Sequence, residues 1–140
     1  MSAVPTQLRA QADTRPRRAR ILVVDDDYDM LDILSHALLH EGYDVLTAGN
    51  GRLALEMIRQ HRPDLVLTDA LMPWMDGREL CRRIKDESPA TQVVLMTSLY
   101  KSARHKSEAF RNFGVDGFLP KPLDLEVLLN TIGGLVEDRR

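Results

Sequence analysis

The sequence predicts an α/β protein: a five-stranded parallel sheet, doubly wound, with five helices. Three observations predict it. Short β-branched and aliphatic runs stop at acids, as Ile21-Leu22-Val23-Val24 does before Asp25-Asp26 and Leu65-Val66-Leu67-Thr68 before Asp69. Such runs read as strands buried on both faces. Segments with apolar residues at helical spacing lie between them, and turn residues mark the junctions. Strands alternating with helices imply right-handed crossovers and a parallel sheet.

The elements follow in order from residue 20. Strand 1 covers about 20–25. A helix over about 28–41 repeats Met30, Leu31, Ile33, Leu34, Ala37 and Leu38, and Gly42 stands where a helix C-terminal glycine belongs. Strand 2, about 43–48, is short and alternates Tyr43, Val45 and Thr47, as an edge strand does. Asn50-Gly51 marks a turn, the next helix spans about 52–61, and Pro63 stops it before strand 3 at about 64–69. Met72-Pro73 and Asp76-Gly77 punctuate a loop over 70–77, with a helix at about 77–86 beyond it. Strand 4 at about 92–97, a helix at about 101–113 and strand 5 at about 115–119 complete the sheet. The last helix follows the capping residue Asp124 and carries Leu125, Leu128, Leu129, Ile132 and Leu135. Gly133-Gly134 weakens it by about 1 kcal/mol per glycine relative to alanine, so that its end frays or packs closely.

At 140 residues the chain is long enough for one domain with a real core. Its single cysteine, Cys81, excludes an intrachain disulfide framework and a CxxC metal site, and fits a reducing compartment. No apolar stretch approaches the ~18–20 residues that span a bilayer, and no apolar segment follows the positive N-terminus as in a secretory signal. A net charge of −2 gives no argument for nucleic acid. Charge is uneven, however. Residues 1–19 read as a disordered basic arm ahead of a domain over 20–138; within 1–20, Arg9, Arg15, Arg17, Arg18 and Arg20 are offset by Asp13 alone.

The strand ends carry the chemistry. Ligands of open α/β sheets bind beyond the carboxyl ends of the strands. In the flavodoxin-like order 2-1-3-4-5, strands 1 and 3 are neighbours, which crowds Asp25, Asp26 and Asp69 into one crevice at the switch point. Carboxylates at that range raise one another's pKa, and a hard cation such as Mg2+ resolves the repulsion. Thr97 and Lys121 end two later apolar runs. Acids, a hydroxyl and an ammonium together suit binding and transfer of a phosphoryl group.

Over nearly all of 20–138 the sequence resembles the receiver domain of two-component response regulators, with single-domain, chemotaxis-regulator-like organisation. The resemblance rests on Ile21 to Asp27, on Pro63 to Asp69, on Met72-Pro73-Trp74-Met75-Asp76-Gly77, and on Thr97-Ser98 and Lys121-Pro122, all in order. It implies that Asp69 is the phosphoacceptor and that Mg2+ is held by Asp25, Asp26, Asp69 and the main-chain carbonyl of Leu71. It further implies that Lys121 and Thr97 bind phosphoryl oxygens and that Lys121-Pro122 is cis. Thr97 and Phe118 are implied as the switch, altering the face built by the helix at 101–113, strand 5 and the last helix. The donor is then a histidine kinase or a histidine phosphotransfer protein, and the setting cytoplasmic. An unknown downstream protein or a second copy of the chain docks on the signalling face. Neither membrane nor nucleic acid is expected as a partner of this domain. The chain catalyses only its own phosphorylation and dephosphorylation, so it is not an enzyme in the ordinary sense.

Some positions depart from the family. Leu71 and Leu99 are apolar where many relatives are polar along the path of hydrolytic water, so dephosphorylation is expected to differ. Phe118 replaces the commoner tyrosine and lacks its hydroxyl, and the stretch from Thr97 to Phe118 is longer than usual. Two other functions compete. A phosphorylation-independent binding module is opposed by intact Asp69, Thr97 and Lys121. A haloacid-dehalogenase-like phosphatase requires DxDxT, and Asp25-Asp26-Asp27-Tyr28-Asp29 lacks the threonine. Trp74 either packs on its own loop or stands out as a partner anchor. His36 and His40, four apart on one helix, lack a third ligand and read as ordinary helix residues. Asp27 reads as a helix cap, and Lys101, Arg104, His105, Lys106 and Arg111 make their helix basic.

Overall fold

The computed structural model describes residues 18–98, 108 and 111–137. The strands are β1 (Arg20–Val24), β2 (Asp44–Ala48), β3 (Leu65–Asp69), β4 (Gln92–Thr97) and β5 (Gly117–Pro120). They form one parallel sheet in the order β2-β1-β3-β4-β5, the order expected. The helices are α1 (Tyr28–His40), α2 (Gly51–His61), α3 (Gly77–Glu87), α4, described over 111–113, and α5 (Leu125–Glu137). The N-terminal arm up to residue 17 and most of the basic helix, with Leu99, lie outside the described residues.

The two-residue period of the strands divides the core between the faces of the sheet. Ile21, Val23, Leu65 and Leu67 point to one face, where Leu34 and Leu38 of α1 and Leu128 and Ile132 of α5 cover them. Leu22, Val24, Val66 and Leu95 point to the other, against Ala54 and Ile58 of α2 and Leu80 and Ile84 of α3. Each such side chain, fully buried, contributes about 1.5–3 kcal/mol relative to exposure. The edge strand β2 departs from the alternation expected of it. Val45 and Leu46 are both half-buried, one against each core, and Thr47 is exposed, because α1 and α2 curl around that edge.

Side-chain carboxylates and amides start the helices. Asp27 accepts from Asp29 N and Met30 N at the head of α1, as its capping role requires. Asn50, read as a turn residue, is the cap of α2 and accepts from Leu53 N. Asp76 caps α3 through Glu79 N, and Asp124 accepts from Glu126 N and Val127 N at α5. Each cap is worth about 1 kcal/mol. Gly42 ends α1 at φ +94°, while Tyr43 N bonds Leu38 O and Gly42 N bonds Leu39 O. That pair of bonds satisfies the last carbonyls of the helix. The last helix runs unbroken through Gly133-Gly134, and a β carbon at Gly134 would meet nothing.

The fifth strand starts two residues later than its apolar pattern suggests. The Asp116 carboxylate takes Val93 N at 2.8 Å and the Lys85 ammonium at 2.7 Å. The side chain therefore stands in for one ladder acceptor at the foot of β4, where Asp116 N still donates to Val93 O at 2.8 Å, and ties α3 to the start of β5.

Candidate functional site: an acidic crevice at the strand ends

The register fixes the crevice. Val24 pairs with Thr68, so Asp25, one residue past β1, stands level with Asp69, the last residue of β3. Asp25 N donates to Ala48 O at 3.2 Å, which holds its backbone to the neighbouring strand. Asp25, Asp26 and Asp69 bring one carboxylate oxygen each to within 4.8 Å of one another. Asp25 is 2% exposed and Asp69 9%, whereas Asp26 is open to solvent.

Three other positions complete the arrangement. Lys121, just beyond β5, places its ammonium 3.1 Å from Asp69 Oδ1. Leu71 N also donates to that oxygen, at 3.3 Å. Thr97 ends β4, is 4% exposed, and accepts Lys121 N on its carbonyl at 3.2 Å. Lys121-Pro122 is cis, as expected. Phe118 lies half-buried in β5 against the core beneath α2 and α3. The Leu71 side chain is 57% exposed beside the crevice.

Electrostatics favour a cation here. Burial pushes the Asp25 carboxyl above its ordinary range, and the charges of Asp69 and Asp26 push the same way. The Asp27 N–H, bonded at 3.0 Å, and the Lys121 ammonium pull it back. One ammonium faces three acids, so the crevice keeps excess negative charge. The donor set fits Mg2+. All three groups are hard oxygen ligands, and oxygens around one octahedral Mg2+ stand about 2.9–4.2 Å apart. His36 spends its Nδ1 on Asp32 O, at 2.9 Å, and belongs to no cluster of metal-binding side chains among the described residues.

One feature escaped the sequence reading. A β carbon at Gly77 would collide with the Asp69 carbonyl oxygen and lie 2.9 Å from Ala70 Cα. Gly77 N also donates to Ala70 O at 2.9 Å, so α3 begins in direct contact with the backbone of Asp69. The Asp76-Gly77 pair signalled a turn, and nothing in it signalled close approach. Trp74 is 95% exposed and left-handed at φ +68°. It does not pack on its own loop, which removes the blander of its two readings.

The profile of the response regulator receiver domain matches residues 21–133. The chain belongs to this family. Relatives of the receiver domain include Response regulator MprA of Mycolicibacterium vanbaalenii, 38% identical over 117 residues that cover 84% of this chain and 50% of that protein. The Mycobacterium leprae protein of the same name is 37% identical over the same coverage. The chain thus spans about half the length of these curated relatives. Among solved structures, the receiver domain superposes on Vibrio cholerae chemotaxis protein CheY4 with a TM-score of 0.78 at 31% identity, over 85% of this chain and 99% of that one. The Francisella response regulator 1452 receiver domain gives 0.81 at 26% identity, over 88% and 100%. Among the described residues of the receiver domain, no helix is long and apolar enough to cross a membrane.

Proposed function

We propose that this receiver domain is a phosphorylation-dependent switch that accepts a phosphoryl group on Asp69. The donor is a phosphohistidine of a histidine kinase or a histidine phosphotransfer protein. The observation that carries this reading is the trio of carboxylates within 4.8 Å, with Lys121 held 3.1 Å from Asp69. A lone turn acid or helix cap needs no such company.

The chemistry follows from the residues. An Asp69 carboxylate oxygen attacks phosphorus in line, the P–N bond to the donor imidazole breaks, and the leaving ring takes up a proton. Asp25, Asp26, Asp69 and the main-chain carbonyl of Leu71 would hold Mg2+, which would supply positive charge to offset the negative charge gathering on the phosphoryl oxygens. Lys121 exchanges its pairing with Asp69 for one phosphoryl oxygen, and the Thr97 hydroxyl donates to another. Movement of Thr97 makes room for Phe118, and the face of α4, β5 and α5 changes with it. A downstream protein or a second copy reads that face. The phosphoryl group ends on the chain itself, so there is no turnover of a separate substrate.

Intact-protein mass after incubation with acetyl phosphate and Mg2+ tests the reading. The parent chain is expected to gain one phosphoryl group, and Asp69→Asn or removal of Mg2+ to abolish the gain. An undiminished gain in Asp69→Asn refutes the assignment.

A further inference from the structure

A groove of about 600 Å³ lies between α1 and α2 at the C-terminal end of β2, where Thr47 and Ala48 line it. Its walls carry three carboxylates, Asp29, Asp32 and Glu56, and among the described residues neither lysine nor arginine. Tyr28 and Leu53 add exposed apolar surface, at 79% and 47%. Ser35 lines the same groove, and its Oγ is buried without a hydrogen-bond partner among the described residues. An acidic wall, an open apolar surface and an orphaned hydroxyl call for an occupant with cationic donors and an aliphatic side chain.

The chain carries such a segment. Residues 1–17 contain Arg9, Arg15 and Arg17 against Asp13 alone, with Val4 and Leu8 as aliphatic residues, and Arg18 beyond them is exposed. The segment joins the domain at the right edge. Ala19 O accepts Asp44 N at 3.0 Å, at the foot of β2, whose other end, Thr47 and Ala48, lines the groove. Seventeen residues extend up to roughly 60 Å, whereas β2 is about 17 Å long, so reach is no obstacle. Tethering keeps the local concentration of the segment high. The neighbouring groove between α2 and α3 carries Glu56 beside Arg52, Arg59 and Arg83, the last two paired with Glu87 and Glu79, and so lacks the uncompensated acidic wall.

We propose that the arginine-rich N-terminal segment docks in the α1–α2 groove of its own chain, its guanidiniums against Asp29, Asp32 and Glu56. The proposal stands independently of phosphoryl transfer at Asp69.

Paramagnetic relaxation in the full chain tests it. A nitroxide is attached at Ala10→Cys; Cys81 is fully buried and takes no label in the folded protein. The amide signals of Asp32, Leu53 and Glu56 are expected to lose at least about half their intensity at low salt. They recover near 1 M salt, where charges are screened beyond about 3 Å. A variant combining Asp29→Asn, Asp32→Asn and Glu56→Gln, with its dispersed spectrum intact, is expected to show no loss. Loss centred on the Asp69 crevice or the Trp74 loop, or no loss anywhere, overturns the proposal. So does equal loss when the labelled chain is mixed with a separate isotope-enriched copy, which would make the contact intermolecular.

Discussion

Burial holds the Asp25 carboxyl above its ordinary value of 3.8, and that raises a stability question at the level of a single residue. In the unfolded chain the group ionises near 3.8; in the folded chain it keeps its proton to higher pH. Across the window above 3.8 the folded state therefore binds more protons, and this group's contribution to stability falls as pH rises. Asp25→Asn removes that loss. Urea unfolding without Mg2+ is expected to show the variant gaining on the parent between pH 4 and pH 7. With Mg2+ added at neutral pH, the parent is expected to rise and the variant to respond weakly, because ligand binding stabilises only a competent site. The acids were legible in the sequence because each ends an apolar run, and a parallel sheet brings strand ends together. The unequal burial of Asp25 and Asp26 was not, since it depends on which way two successive side chains point once β1 ends.

Two glycines separate what helices need from what they tolerate. At Gly77 the N-terminus of α3 rests on the carbonyl of Asp69, and an added methyl group has nowhere to go: Ala70 Cα is 2.9 Å away and Leu95 Cδ2 3.0 Å. Gly77→Ala is expected to cost about 1–3 kcal/mol by overpacking, read as a lower urea midpoint. It is also expected to slow phosphorylation by acetyl phosphate, because the displaced backbone carries Asp69. At Gly134 the space is open and the backbone helical. Gly134→Ala is expected to stabilise by about 0.5–1 kcal/mol in thermal or urea unfolding. Helical spacing and capping residues made both helices legible from sequence. Neither spacing nor caps distinguish a glycine that admits a neighbouring backbone from one that faces solvent. The late start of β5 has a similar origin: Val115 fits a strand pattern, but the Asp116 side chain takes the hydrogen bond from Val93 N.

Across the whole molecule, sheet order and crevice follow from one pattern: buried strands that all run the same way and end in polar residues. That pattern concerns the interior. The exterior obeys no comparable periodicity, which is why the exposed Tyr28 and the half-covered faces of β2 emerged only from the coordinates, and why the sequence left two readings of Trp74 open. Trp74 is the one tryptophan of the chain, and it stands almost wholly in water on the loop that follows Asp69. The protein thus carries its own optical probe on that loop, beside the groove between α2 and α3. Unfolding leaves that indole about as wet as before, so tryptophan emission is expected to follow denaturation poorly while circular dichroism follows it well. A protein that settles over the loop dries the ring, which is expected to move the emission to the blue and slow quenching by iodide. A phosphodonor that docks there therefore reports its own arrival without any added label.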